Sequence, residues 1–278
     1  MTTWTCFDVT MDGAVAHVRM NQPQRHNAMT PAFWAEIPQL FRQLDEAGGV
    51  RAAVLSSDGR HFSAGMDLSV FANAGTLGTV DVAARERFRH QLKKLQLCFN
   101  AIAEVRFPVI AAIQGGCIGG AVDLATACCL RYCSREAWFC IQEINIGMMA
   151  DVGTMNRMPK QIPEAVMREL AYTGDRLGAE RAERLGFVNG LFDDHAATVA
   201  GALAVAQKIA ARAPVAVAAS KEMINYTRDH SVAESFTYMN ALQPGVFDPE
   251  DIARAVAGQK AGQPAVFADL PPIQPAMG

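Results

Sequence analysis

The sequence predicts an α/β fold, built from repeated strand-strand-helix turns and closed by a helical C-terminal part. Two observations carry this expectation. Short apolar runs such as Ala52 to Ser56 and Pro108 to Ile113 read as buried strands, and each leads into a glycine-rich loop and then a helical pattern. From Asp151 onward the pattern is largely helical, with Phe187 to Phe192 the main exception.

In chain order, Phe7 to Thr10 and Ala14 to Met20 form a strand pair around Asp12-Gly13, a hairpin turn signal. Asn21 to Gln24 is a loop. Thr30-Pro31 opens a helix, with Thr as N-cap and Pro at the first helical position. Phe33, Ile37, Leu40, Phe41 and Leu44 follow at helical spacing, and Gly48-Gly49 ends the run. After the Ala52 strand come the loop His61 to Asp67, a soft segment from Ala72 to Gly78, and a long helix from Val82 to Glu104. The Pro108 strand runs through Gln114 to Gly120 into a helix from Ala121 to Cys128. Arg131 to Cys133 and Ala137 to Cys140 are two further short strands. Pro214 to Asp229 and Ser231 to Leu242 are helices that pack on the core or on a neighbouring subunit, and the Pro-rich tail after Gly262 is extended or poorly ordered.

Composition narrows the function classes. The 278 residues are 50% hydrophobic and 19% charged, enough apolar material for a sizeable core. A formal net charge of -3 gives no electrostatic case for a nucleic-acid or membrane partner. No apolar run is long enough to span a bilayer, and neither end carries a targeting signal, so a cytoplasmic location is expected. The odd set of seven Cys fits reduced thiols. Cys128, Cys129 and Cys133 lack the His or fourth Cys of a structural zinc site, so no metal is expected.

Two glycine-rich stretches each follow a buried strand: His61-Phe62-Ser63-Ala64-Gly65-Met66-Asp67, and Gln114 to Gly120. Glycine there lets a ligand approach bare amide N–H groups, and Gly120 also precedes a helix, whose first N–H groups favour negative charge. Either loop alone reads equally as a tight turn. Three acids lie downstream. Asp123 falls in a first helical turn, where it also complements the helix dipole. Glu143 sits among apolar neighbours, as a solvent-facing strand residue or a buried base with a raised pKa. Asp151 is a candidate acid or a plain N-cap. Together these features suit proton abstraction next to a thioester carbonyl. Ser63 has no obvious His base, so a nucleophilic role is not expected.

At these residues the sequence resembles the enoyl-CoA hydratase/isomerase (crotonase) superfamily, over about Phe7 to Ala257. Phe62 to Leu68 is similar to its first oxyanion loop, and Ala111 to Leu124 to its second. The resemblance implies that the N–H groups of Met66 and Gly120 form an oxyanion hole. Ser63, Ala64, Gly65, Asp67, Leu68 and Gly119 would belong to the substrate-binding loops. In Arg25-His26-Asn27-Ala28, Arg25 would meet a CoA phosphate, and the backbone near Ala28 and Ala64 the adenine. Lys221 and Lys260 are further CoA contacts to consider. It also implies a crotonase-like spiral core with the CoA and catalytic site over residues 1–200. A helical C-terminal trimerisation region and tail would follow over 201–278, giving homotrimers or dimers of trimers. No cofactor is implied, because CoA is part of the acyl-CoA substrate.

The acids point to a branch. Hydratases of the superfamily carry Glu, Glu and Gly where this chain has Asp123, Glu143 and Asp151. The observed trio resembles the branch that converts 3,5-dienoyl-CoA to 2,4-dienoyl-CoA, as do Cys117 to Asp123, Ala150 to Thr154 and Arg228 to Ser235. Ala121 departs from it, standing where Gly is usual, and its methyl could narrow the pocket. By this resemblance Glu143 exchanges the proton at the alpha carbon and Asp151 the one at the far end of the diene. Asp123 is then a support or third acid, and Ile146, Met148 and Met149 keep the site dry. The alternatives are a hydratase that activates water with Asp123 and Glu143, and a non-catalytic CoA-binding or assembly module. Some relatives bind RNA, a role that the acidic balance does not favour.

Overall fold

The computed structural model describes residues 3–69 and 81–274. The Ala72 to Gly78 segment lies outside the described residues. Two sheets share the strands turn by turn. The larger contains β1 (Phe7–Asp12), β2 (Val15–Met20), β3 (Ala52–Ser57), β4 (Val109–Ile113), β6 (Leu130–Ser134) and β9 (Gly190–Phe192), in the order β1-β2-β3-β4-β6-β9. The smaller is β5 (Gly116–Ile118), β7 (Trp138–Cys140) and β8 (Leu177–Gly178). The chain crosses from one sheet to the other within a few residues at β4-β5 and at β6-β7, then returns through a helix. That is the spiral of strand-strand-helix turns.

The hairpin β1-β2 is antiparallel and the rest of the large sheet is parallel. Parallel strands need cover on both faces, which is why β3 and β4 read as continuous apolar runs. One face is covered by α7 (His195–Ala210). Its Ala202, Ala206 and Ala210 recur every fourth residue and lie against Val15, Ala52, Val54, Ile110 and Ala112. The other face carries the main core. There α1 (Pro31–Glu46) contributes Phe33, Ile37, Leu40 and Phe41, and α2 (Val82–Glu104) contributes Cys98, Phe99 and Ile102. The Trp34 and Phe99 rings meet with centroids 4.9 Å apart.

Helix ends follow local chemistry. Thr30 Oγ1 accepts the Phe33 N–H at 3.3 Å, and Asp81 Oδ1 accepts that of Ala84 at 2.6 Å. Pro38 lies inside α1 and removes one backbone donor, leaving the Trp34 carbonyl without its helical partner. The Cys98 thiol donates to that carbonyl at 3.3 Å. A cysteine of α2 thus replaces the donor that the proline removes from α1.

Next come α3 (Gly120–Ala127), the short α4 (Thr154–Arg157), α5 (Glu164–Thr173) and α6 (Ala179–Arg184). After α7, the helices α8 (Pro214–Asp229), α9 (Val232–Val246) and α10 (Pro249–Ala261) extend the chain, with a Ser231/Glu234 capping box opening α9. The tail is extended and packed. Arg51 donates to Asp269 and to the Phe267 carbonyl, each at 2.6 Å, and Ile273 N–H donates to the Glu46 carbonyl at 2.9 Å. The expected helices agree closely with those observed. Two short strands, β5 and β8, do not stand out in the sequence, because their glycines hide the pattern.

Replacing Phe99, which is fully buried, by Ala should cost about 3–5 kcal/mol. Urea denaturation followed by circular dichroism would measure that loss.

Candidate active site

The smaller sheet brings the two glycine loops together. A parallel bridge joins Ser63 to Cys117, so that Ser63 N–H donates to the Gly116 carbonyl at 3.3 Å and Ile118 N–H to the Ser63 carbonyl at 3.1 Å. Gly65 has φ +78, and a Cβ there would sit 2.3 Å from the Ile118 carbonyl oxygen and 3.1 Å from Gly120 N. Only glycine permits this approach. A Cβ on Gly120 would in turn lie 3.7 Å from Met66 N. Gly120 opens α3, where first-turn N–H groups have no helical acceptor. Met66 N–H has no backbone acceptor among the described residues. Two bare amides therefore stand side by side, the arrangement that stabilises a developing oxyanion.

All three acids share one cleft with Met66 and Gly120, together with Ala64, Leu68 and Gly119. Glu143 lies in a 3₁₀ turn, Gln142–Ile146, rather than on a strand. Its carboxylate borders the hole: a Cβ on Gly119 would be 3.1 Å from Glu143 Oε1, while Oε2 is buried without a partner among the described residues. Burial, reinforced by the charge of Asp123, pushes the Glu143 carboxyl up to about 7. Asp123 is 1% exposed, and its Oδ1 accepts the Thr154 N–H at 2.5 Å. Burial raises it to about 6, opposed by that N–H. Asp123 thus caps α4 from a neighbouring helix, and Gly153 is the N-cap residue. Asp151 is not a cap. It is half-buried, raised above the usual carboxylate range by burial, with its backbone carbonyl held by Gln96 Nε2 at 2.8 Å.

Other expected residues sort differently. Ser63 is buried, its hydroxyl donating to the Asn27 carbonyl at 2.7 Å and accepting Gly65 N–H at 3.1 Å, which makes it a loop brace. Arg25 is exposed and pairs with Asp67 at 2.7 Å, while Ala28 is half-buried in the turn before α1. Three expectations need correction. Lys221 is buried, donating to the carbonyls of Ile102 and Phe107, and it lies outside this cleft. Ala121 turns its methyl into the main core rather than the cleft. Met149 is 69% exposed and lines no part of the cleft, unlike Ile146 and Met148. Lys260 is exposed on α10 and also lies outside the cleft lining. Trp34 is a lining residue that the sequence did not single out. Its helical spacing matches a core position, and no local signal separates the two.

The profile of the enoyl-CoA hydratase/isomerase family matches residues 10–265. Among curated proteins, the mitochondrial Delta(3,5)-Delta(2,4)-dienoyl-CoA isomerase of Homo sapiens is 39% identical over 245 residues, covering 87% of this chain and 75% of the relative. The peroxisomal protein of the same description from Arabidopsis thaliana is 34% identical over 262 residues, covering 93% and 94%. Among solved structures, an enoyl-CoA hydratase from Bacillus anthracis has the same fold, with a TM-score of 0.85, 24% identity and 95% and 99% coverage.

Gly65→Ala should drive a methyl into the Ile118 carbonyl and displace the Met66 N–H. Loss of one such donor lowers kcat by about 10²–10³-fold. Steady-state kinetics alongside a melting curve would separate that loss from unfolding.

Proposed function

The chain belongs to the enoyl-CoA hydratase/isomerase family, and from that premise we propose that it isomerises 3,5-dienoyl-CoA to 2,4-dienoyl-CoA, in fatty acid beta-oxidation. The observation that carries this reading is the convergence of Asp123, Glu143 and Asp151 with the bare amides of Met66 and Gly120 on one cleft. The description of the human and Arabidopsis relatives supports it.

In this mechanism the thioester oxygen accepts the N–H groups of Met66 and Gly120. Glu143, which borders Gly119 beside the hole, takes a proton from the alpha carbon, the atom next to the thioester carbonyl. The electron pair spreads through the diene as a dienolate whose oxygen charge rests in the hole, worth about 3 kcal/mol per donor. Asp151 delivers a proton at the far end of the conjugated system. The double bonds shift, and one proton is lost and one gained. The productive form has Glu143 ionised and Asp151 protonated, so the two acids need different environments. Asp123 supports the Thr154 end of the loop that carries Asp151.

This geometry favours the isomerase reading over the hydratase one. A hydratase needs two carboxylates free to hold a water, but Asp123 is buried and engaged with Thr154 N–H. Arg25, Ala28, Ala64 and the loop Gly65 to Leu68 remain our proposal for the CoA side; Arg25 would exchange Asp67 for a phosphate. No cofactor is invoked. Seven free cysteines support a reducing, cytoplasmic setting. The exposed Ile224, Val232, Phe236 and Phe247 on or beside α8 and α9 support self-association as a homotrimer or dimer of trimers.

Asp151→Asn should lower isomerisation of a 3,5-dienoyl-CoA by at least about 10²-fold. Diene absorbance would report this, and a wild-type rate would remove Asp151 from the mechanism. Fast hydration of a 2-enoyl-CoA without a diene shift would favour the hydratase. Because Glu143 ionises at about 7, the isomerisation rate should fall as pH drops through about 7. Phe236→Asp should lower the mass seen by light scattering from a multiple of 29.9 kDa to 29.9 kDa, and an unchanged multiple would clear that face of an interface role.

A further inference from the structure

Three carboxyl groups face one cleft, yet no cation lines it among the described residues. A positive charge stands directly behind. Arg157 closes α4, and its Nη2 donates to Asn100 Oδ1 on α2 at 2.5 Å. Its Nη1 is buried and has no hydrogen-bond partner among the described residues. A Cβ built on Gly153 would lie 2.0 Å from Arg157 Nη1 and 4.0 Å from Asp123 Oδ1. Guanidinium and carboxylate therefore border the same glycine without forming an ion pair. A buried guanidinium N–H left unpaired is costly. The arrangement makes sense where the charge acts through space rather than through a hydrogen bond.

The surrounding groups cancel that charge only in part. Arg157 faces a polar recess that it shares with Gln96, Asn100, Asn156, Arg228 and Asp229. There Asp229 is engaged by Arg228 at 3.0 Å and by Lys160. Glu104 of α2 and Cys128 after α3 also act on Arg157. Asp123 is faced by Thr154 N–H, Arg157, Asp151, Glu143 and the Cys117 thiol; burial holds that thiol well above its usual range, hence neutral.

We propose that Arg157 is a positioning residue for the isomerisation: across Gly153 it supplies the positive charge that lets two of the three cleft acids ionise together, and it steadies the Asp123–Thr154 anchor behind Asp151. This inference rests on the isomerase function above. Its sign follows from charge alone. The acids titrate as a coupled set, and removing a nearby cation makes every ionisation of the set harder. The pH at which two acids are ionised then rises.

The test is the pH dependence of kcat for 3,5-dienoyl-CoA isomerisation in wild type, Arg157→Met and Arg157→Lys. The acid limb should move up by roughly one pH unit in Arg157→Met. Activity should fall about fivefold at pH 7 and recover at higher pH, with KM little changed. Arg157→Lys should return most of the limb toward its wild-type position. A merely structural arginine would lower activity equally at every pH, and an unmoved limb in Arg157→Met overturns the proposal. Should that variant fold poorly by circular dichroism, Asn100→Ala frees the guanidinium from its tether while keeping the charge. Its limb should move, because the charge is no longer held in place behind Gly153, and no movement overturns the proposal as well. A wild-type protein with no isomerase activity would instead overturn the function, independently of Arg157.

Discussion

The site depends on how closely the chain at Gly65 approaches the Ile118 carbonyl. No side chain fits between them, so the first loop seats against the strand that leads into α3. The Ser63–Cys117 bridge fixes the register of that contact, and Met29 extends it by bonding Gly65 and Asp67 on the other side. The bare N–H of Met66 and the first N–H of α3 are consequences of this packing. The Ser63–Cys117 bridge is a single pair, but it locks two segments about 50 residues apart to within a hydrogen bond, a constraint that a single flexible loop would meet only at an entropic cost.

Around that rigid frame the electrostatics are unfavourable by construction. Asp123, Glu143 and Asp151 are all raised by burial, and the charge on Asp123 lifts Glu143 further. Desolvated carboxyls near neutrality suit proton transfer, because they can both give and take a proton at working pH. The surroundings also separate the roles. Asp123 is bound to a backbone N–H, whereas Glu143 keeps an unpartnered buried oxygen beside the hole. Arg157 adds opposite charge without entering the cleft.

Much of the fold was legible because each large element carries a local signal. Thr30-Pro31 and the run from Phe33 to Leu44 specify α1, and the bounds of α2 and α8 follow from amphipathic spacing. The glycine loops and acids were legible as residues, though not as a constellation, since nothing local says that Gly119 will rest against Glu143. Strands β5 and β8 escaped notice because two or three residues with glycine give no period to read. The fate of Lys221 was hidden for a related reason. An exposed and a buried lysine look alike in sequence, and only the carbonyls of Ile102 and Phe107, more than 100 positions away, decide between them. The same holds for Asp151, whose alternative as a cap was removed by an acid on another helix.

The packed segment from Phe267 to Ile273 bears on how the edge of the fold beside α1 is closed. Arg51 precedes β3, near the middle of the large sheet, yet its guanidinium is held by Ala210, Phe267 and Asp269. Arg106 likewise joins Asp45 to the Pro271 carbonyl. Without that segment these two cations would have only water and their nearer partners, and the seam beside Gly48 would open. The edge at the end of α1 is therefore closed by a segment more than two hundred residues away along the chain, which acts as a latch on it.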